Sequence, residues 1–154
     1  MEVQVQQEAF DIGTETANFS QIAAAHHAGA IASFIGLVRD YREETSLQAM
    51  RLQHYPGMTE RILGELVTTA KERFDLSAVR LIHRYGLLQS TEPIVLVMVA
   101  SPHRSAAFNG CSYLMDRLKT DAPFWKCEYD DKGQTHWVEA KNTDVAKAQK
   151  RDID

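Results

Sequence analysis

Cysteine is scarce in this chain of 154 residues: there are two, Cys111 and Cys127, and no CxxC pair. That count argues against a disulfide-built scaffold and against a cysteine-rich metal site. Basic charge is also in short supply, since 17 Lys and Arg face 21 Asp and Glu for a formal net charge of -4. No overall positive field exists to hold nucleic acid through its phosphates, so any anion-binding surface must be local. Long hydrophobic runs are missing. The strongest, "PIVLVMVA", falls far short of the roughly 20 residues of a membrane helix. "MEVQVQQEAF" carries no signal-like stretch, so the expected setting is a reducing cytoplasm with free thiols. No glycine-rich phosphate loop stands at a strand-to-helix junction, which disfavours nucleotide-driven chemistry.

What is present is ample apolar material, 44% of the residues, enough for one core and too little chain for two ordinary domains. A single domain over residues 1–141 is expected, with the polar stretch 142–154 as a tail or surface helix. Val3 and Val5 alternate with polar residues as in a strand, and "NFSQIAAAHHA" predicts a short helix capped by Asn18 or Ser20. "AIASFIGLV" reads as a buried strand, "RDYREETS" as an exposed loop and "LQAMRLQHY" as a half-buried strand. Met58, Ile62, Leu63, Leu66, Val67, Ala70 and Phe74 form one helical stripe. Two strands, "AVRLIHRYG" and "IVLVMVAS", flank the loop "LLQSTEP". Ser101 and Pro102 are placed to open a helix as N-cap and first residue, with Phe108, Cys111, Leu114, Met115 and Leu118 turned inward. Pro123 stops that helix near Thr120, and "FWKCEY", "DDKG" and "THWVEA" predict a closing hairpin. The order predicts an α+β fold, with helices packed on a mainly antiparallel sheet.

The candidate chemistry is cationic. His103 and Arg104 sit in the first turn of a helix, where free N–H groups and the positive dipole end disfavour cations unless an anion joins them. Lys119 stands at the other end of that helix, where a solvated lysine is unremarkable. Lys126 is stranger. It lies inside the apolar strand "PFWKCEYD", between Trp125 and Cys127, with aggregation control at a sheet edge as its ordinary explanation. Arg39 ends the strand "FIGLVRD", at a loop of the kind where binding groups collect. A group made of Arg39, Arg104, Lys119 and Lys126 would suit a doubly charged substrate. Adjacent His26 and His27 diverge on a helix and lack spaced ligand partners, so no metal site is expected. Cys127 has no spaced His and Asn or Asp partners and reads as a packing thiol. Trp125 and Trp137 fit as a cross-strand contact better than as a base-stacking platform.

The segments "FIGLVRD", "LQHYPGMTE", "LIHRYG", "ASPHRSAAF", "LMDRLKTDAPFWKCE" and "WVEA" resemble, in order and spacing, the large catalytic subunit of molybdopterin synthase, from about residue 29 to residue 141. The resemblance implies an α/β-hammerhead-type fold with a small extra antiparallel sheet. It further implies a cytoplasmic sulfurtransferase of molybdenum cofactor biosynthesis that needs no cofactor of its own. A small ubiquitin-like sulfur-carrier subunit brings a C-terminal Gly-Gly thiocarboxylate, and the sulfur passes to cyclic pyranopterin monophosphate to make the dithiolene. The implied assembly is a homodimer of large subunits within a heterotetramer. On this resemblance Lys119 and Lys126 are the catalytic pair facing the tail. The substrate-binding set is Leu37, Val38, Arg39, His103, Arg104, Lys119, Lys126, Cys127 and Glu128, with His103 and Arg104 supplied by the neighbouring large subunit. Phe34, Met115 and Lys141 match pocket-lining positions. Lys141 stands where the family often has arginine, Leu37 where it is often basic and Cys127 where it is often charged.

Two other readings compete on the residues alone. One is a non-catalytic α+β module that holds an anionic metabolite or a partner's tail through the same cations. The other is a thiol enzyme dependent on Cys127.

Overall fold

The computed structural model describes residues 2–39, 47–130 and 132–138. Strands Val3–Gln6 (β1), Ala30–Leu37 (β2), Ala78–Arg84 (β4) and Pro93–Ser101 (β6) make one sheet in the order β1-β4-β6-β2. Its β1-β4 pair is parallel and the other pairs are antiparallel. Leu47–His54 (β3), Gly86–Gln89 (β5), Phe124–Asp130 (β7) and Thr135–Val138 (β8) make a second, antiparallel sheet in the order β5-β3-β7-β8. The helices are Ile12–Ala25 (α1), Met58–Phe74 (α2) and Arg104–Asp121 (α3). The α+β architecture with its additional antiparallel sheet is as expected.

β6 explains the layering. Val95, Val97 and Val99 join the main core with Leu63, Val67 and Leu114, while Leu96, Met98 and Ala100 join Phe19 and Ala23 of α1. Both faces of this strand are covered, so its sequence is continuously apolar instead of alternating. Among the described residues, no helix is long and apolar enough to cross a membrane.

Several boundaries differ from the sequence reading. α1 begins seven residues before Phe19, at Ile12, and its cap is Asp11, whose Oδ1 accepts from the Thr14 N–H at 2.6 Å; Asn18 and Ser20 lie inside the helix. α3 opens at Arg104 with His103 as N-cap, because Ser101 completes β6, buried, and its Oγ accepts from the His103 N–H at 3.3 Å. Phe108 is 67% exposed, and the buried stripe of α3 runs through Ala107, Cys111, Leu114 and Leu118 instead. Met58 likewise stays exposed at the head of α2. The stretch expected to be only a loop, "LLQSTEP", contributes most of β5, which pairs with β3 after Gly86 turns the chain at a φ of 91°. Residues 40–46, most of the expected "RDYREETS" loop, and the 142–154 tail lie outside the described residues.

Candidate active site

Register decides which cations can meet. β2 ends beside the start of β6, with Leu37 opposite Pro93, and β4 ends there too, with His83 opposite Val95. α3 leaves the far end of β6 and returns along it. Three residues past its last turn, Phe124 lies on His83, their ring centroids 3.9 Å apart and the planes 18° from parallel. The end of α3 and the start of β7 are thereby anchored where β2 and β4 finish. Arg39, Lys119 and Lys126 belong to this end of the molecule.

Each has a local reason for its position. Arg39 follows Val38, which is buried and bonded on both sides: its N–H donates to Glu92 O at 2.9 Å and its carbonyl accepts from the Thr91 N–H at 2.6 Å. Lys119 is exposed in the last turn of α3, between Arg117 and Asp121, which form an ion pair. Ala122 adopts an extended conformation before Pro123 and ends the helix. Lys126 then projects from β7 on the same face as Phe124 and opposite Leu52 of β3. Desolvation lowers the pKa of His83, and the positive charge of Lys126 adds to that effect.

Arg104 does not join this group within one chain. Along α3 it stands about 22 Å from Lys119 at about 1.5 Å per residue. His103 and Arg104 are both exposed, and the first turn of α3 holds no acidic side chain to balance them. Gly29 lets β2 begin against this junction: its N–H donates to Ser101 O at 3.0 Å, and a Cβ there would stand 2.3 Å from the Pro102 carbonyl oxygen.

The remaining candidates divide by burial. Leu37 is 55% exposed and Phe34 39% exposed, with the Phe34 ring lying over Gly36 toward the Arg39 end. Met115 is partly buried against the main core. Val38, Cys127 and Glu128 are buried, so in this chain they stand behind the cationic surface as support. Lys141 lies outside the described residues, as does the Trp137 side chain, whose backbone pairs with Cys127. Trp125 instead meets Tyr55 edge-on at 4.4 Å, at the rim of a cleft of about 540 Å³ that also touches Arg51, Gln53, His54 and Tyr85.

Sequence reasoning passed over His83, His54, Tyr85 and Arg84. The rings of His54 and Tyr85 lie 4.4 Å apart, and His54 approaches Phe124 at 6.1 Å. Arg84 is buried, donating to Gln7 O at 3.1 Å and Pro93 O at 2.9 Å. Their signal was the strand alternation itself, in which a histidine and an arginine occupy positions that ought to be apolar. Desolvation holds the His83 pKa down at about 4, with Lys126 and His54 adding to the effect, while burial pushes the Cys111 thiol up to about 11.

The sequence profile of the MoaE protein family matches residues 5–121. This chain belongs to the MoaE family. Over 154 aligned residues it is 45% identical to the molybdopterin synthase catalytic subunit of Pseudomonas aeruginosa, covering 97% of this chain and 98% of that protein. The Ralstonia nicotianae protein of the same name is 46% identical over 142 residues, 92% of this chain and 79% of that protein. Among solved structures, the MoaE protein of Burkholderia ambifaria superposes with a TM-score of 0.80 at 37% identity, covering 99% of each chain. The MoaE fold thus carries the cations of both ends of α3, and its relatives are named as catalytic subunits.

Proposed function

We propose that this chain is the catalytic subunit of a molybdopterin synthase, transferring sulfur from the C-terminal thiocarboxylate of a small ubiquitin-like partner to cyclic pyranopterin monophosphate. The observation that carries the reading is the break at Ala122-Pro123, which sets Lys119 on a helix end and Lys126 on the following strand. A partner tail laid between the two ammonium groups has its thiocarboxylate charge neutralised and its sulfur held toward the pterin. The same charges stabilise the phosphate oxygen as the cyclic ester opens. Arg39 offers the planar donors that suit a phosphate. The reaction belongs in the cytoplasm, and it calls on neither of the two buried cysteines as sulfur donor.

The other phosphate-binding residues, His103 and Arg104, come from another copy of the chain. β2 is an edge strand carrying exposed Ile31 and Phe34, and Phe108 of α3 is exposed as well. β2 runs from Ala30, opposite Ser101, to Leu37, opposite Pro93. A second copy joined antiparallel along that edge brings its own Ala30 end, with His103 and Arg104, to this copy's Arg39 end. The result is a homodimer of large subunits, with a small subunit at each outer end.

A single-turnover reaction with thiocarboxylated partner and cyclic pterin monophosphate tests this reading, with dithiolene formation followed for wild type and Lys119→Ala. Wild-type product, together with its loss in a variant that still binds the partner, is the expected result. Binding of both ligands by wild type without product would make the chain a binding module instead.

A further inference from the structure

His83 has no place in the sulfur-transfer reading, yet it lies directly beneath the strand that carries Lys126. Its ring is stacked on Phe124 at 3.9 Å and 18°. Phe124 and Lys126 are two apart on β7 and share a face, so the imidazole stacked on Phe124 lies on the Lys126 side of the strand. One hydrogen bond fixes the ring. Nδ1 lies 2.9 Å from the Arg84 carbonyl oxygen; a carbonyl only accepts, so Nδ1 bears the proton and Nε2 keeps its lone pair in the neutral ring. Arg84 itself is tied to Gln7 O and Pro93 O, so the carbonyl that orients His83 belongs to a residue bonded to two neighbouring segments.

We propose that His83 is a positioning residue for Lys126: its flat ring, oriented by the Arg84 carbonyl and stacked on Phe124, sets the start of β7 and so the place of the Lys126 ammonium. The inference rests on the proposed sulfur-transfer role only in assigning Lys126 a task. Charge on the imidazole would oppose that task. Lys126 from β7 and His54 from β3 both act on His83, Arg84 and Tyr85 follow it in the chain, and its partners on β1 and β6 are the apolar Val5 and Val95. A proton on Nε2 would add a second cation beside Lys126 in a poorly solvated corner. Desolvation keeps the ring neutral, with its pKa at about 4.

The test compares His83→Ala, which removes the stack, with His83→Phe, which keeps a flat ring but no titratable nitrogen. The lysine side chains are isotope-labelled, and the Lys126 signal, assigned through Lys126→Arg, is followed by NMR against pH beside that of Lys119. In His83→Ala the Lys126 signal and its titration midpoint are expected to move, the midpoint by about half a pH unit or more, while Lys119 stays unchanged. The single-turnover rate should fall by about tenfold or more, with partner affinity retained. His83→Phe should restore both the signal and the rate at neutral pH. A folded His83→Ala with wild-type Lys126 signals and rate overturns the proposal, as does a His83→Phe variant equally impaired. If His83→Ala does not fold, His83→Leu, which fills the space without a flat ring, takes its place. Failure of wild type to make product would count against the sulfur-transfer reading alone, since the NMR comparison needs no turnover.

Discussion

The neutral ring of His83 makes stability depend on acid. An unfolded histidine titrates near 6.5, whereas this one takes a proton in the folded state only at about 4. Between those values the unfolded chain binds more protons, so stability falls as pH drops from about 6.5 to about 4 and falls no further from this group below that. Urea unfolding of wild type should lose up to about 2 kcal/mol between pH 7 and pH 5, and His83→Phe should lose that part of the dependence. Arg84 is the neighbouring structural case. Its buried guanidinium serves two carbonyl oxygens and lies 3.5 Å from Glu92. Arg84→Ala leaves those acceptors unsatisfied and should cost about 2–4 kcal/mol by urea unfolding. Cys127→Ser should keep sulfur transfer within about threefold of wild type, since a hydroxyl replaces a buried packing thiol at modest cost. Loss of turnover in a folded Cys127→Ser would revive the thiol-enzyme reading.

At the scale of the element, α3 and its two ends hold most of the candidate chemistry. The junction at its start depends on Gly29, where a methyl group would collide with the Pro102 carbonyl. Gly29→Ala should lower stability by about 1–3 kcal/mol, read as a lower urea midpoint, while the Lys119 end keeps its affinity for the partner. α3 was legible in outline from its apolar spacing and from Pro123. Its first residue was not, because Ser101 and Pro102 form a plausible cap in sequence while the sheet claims Ser101 for β6. α1 was misplaced for a related reason. Most of its first two turns is exposed, Thr16 and Ser20 bond back to the carbonyls of Ile12 and Thr16, and only Phe19 and Ala23 are buried. A helix that buries so little leaves almost no periodic trace. β5 is four residues with one buried side chain, Leu88, too short to alternate visibly.

At the scale of the whole molecule, the 22 Å or so along α3 between Arg104 and Lys119 means that one chain alone does not complete the proposed site. Mixing the Lys119→Ala and His103→Ala proteins and allowing subunits of the proposed dimer to exchange should therefore restore activity. Hybrid dimers carry one site with both residues intact, so random exchange predicts recovery to about a quarter of the wild-type rate, against neither parent alone. No recovery after demonstrated exchange would overturn the site shared between two copies.

The sequence by itself determined the family, the α+β class, the two apolar helix stripes of α2 and α3, and the identity of the cations, because these depend on local periodicity and on short motifs read in order. It singled out Lys119 and Lys126 through a proline that breaks one helix. Only the tertiary structure decided which cations share an end. That outcome depends on strand order and register, on β2 and β4 finishing together beside the start of β6, and on Phe124 finding His83 across two sheets. Pairings between residues far apart in the chain are fixed by how faces bury against one another, and no local pattern encodes them. His83 shows the difference most plainly: in sequence it interrupts an apolar strand, and in the fold its ring stacks on Phe124, the first residue of the strand that carries Lys126.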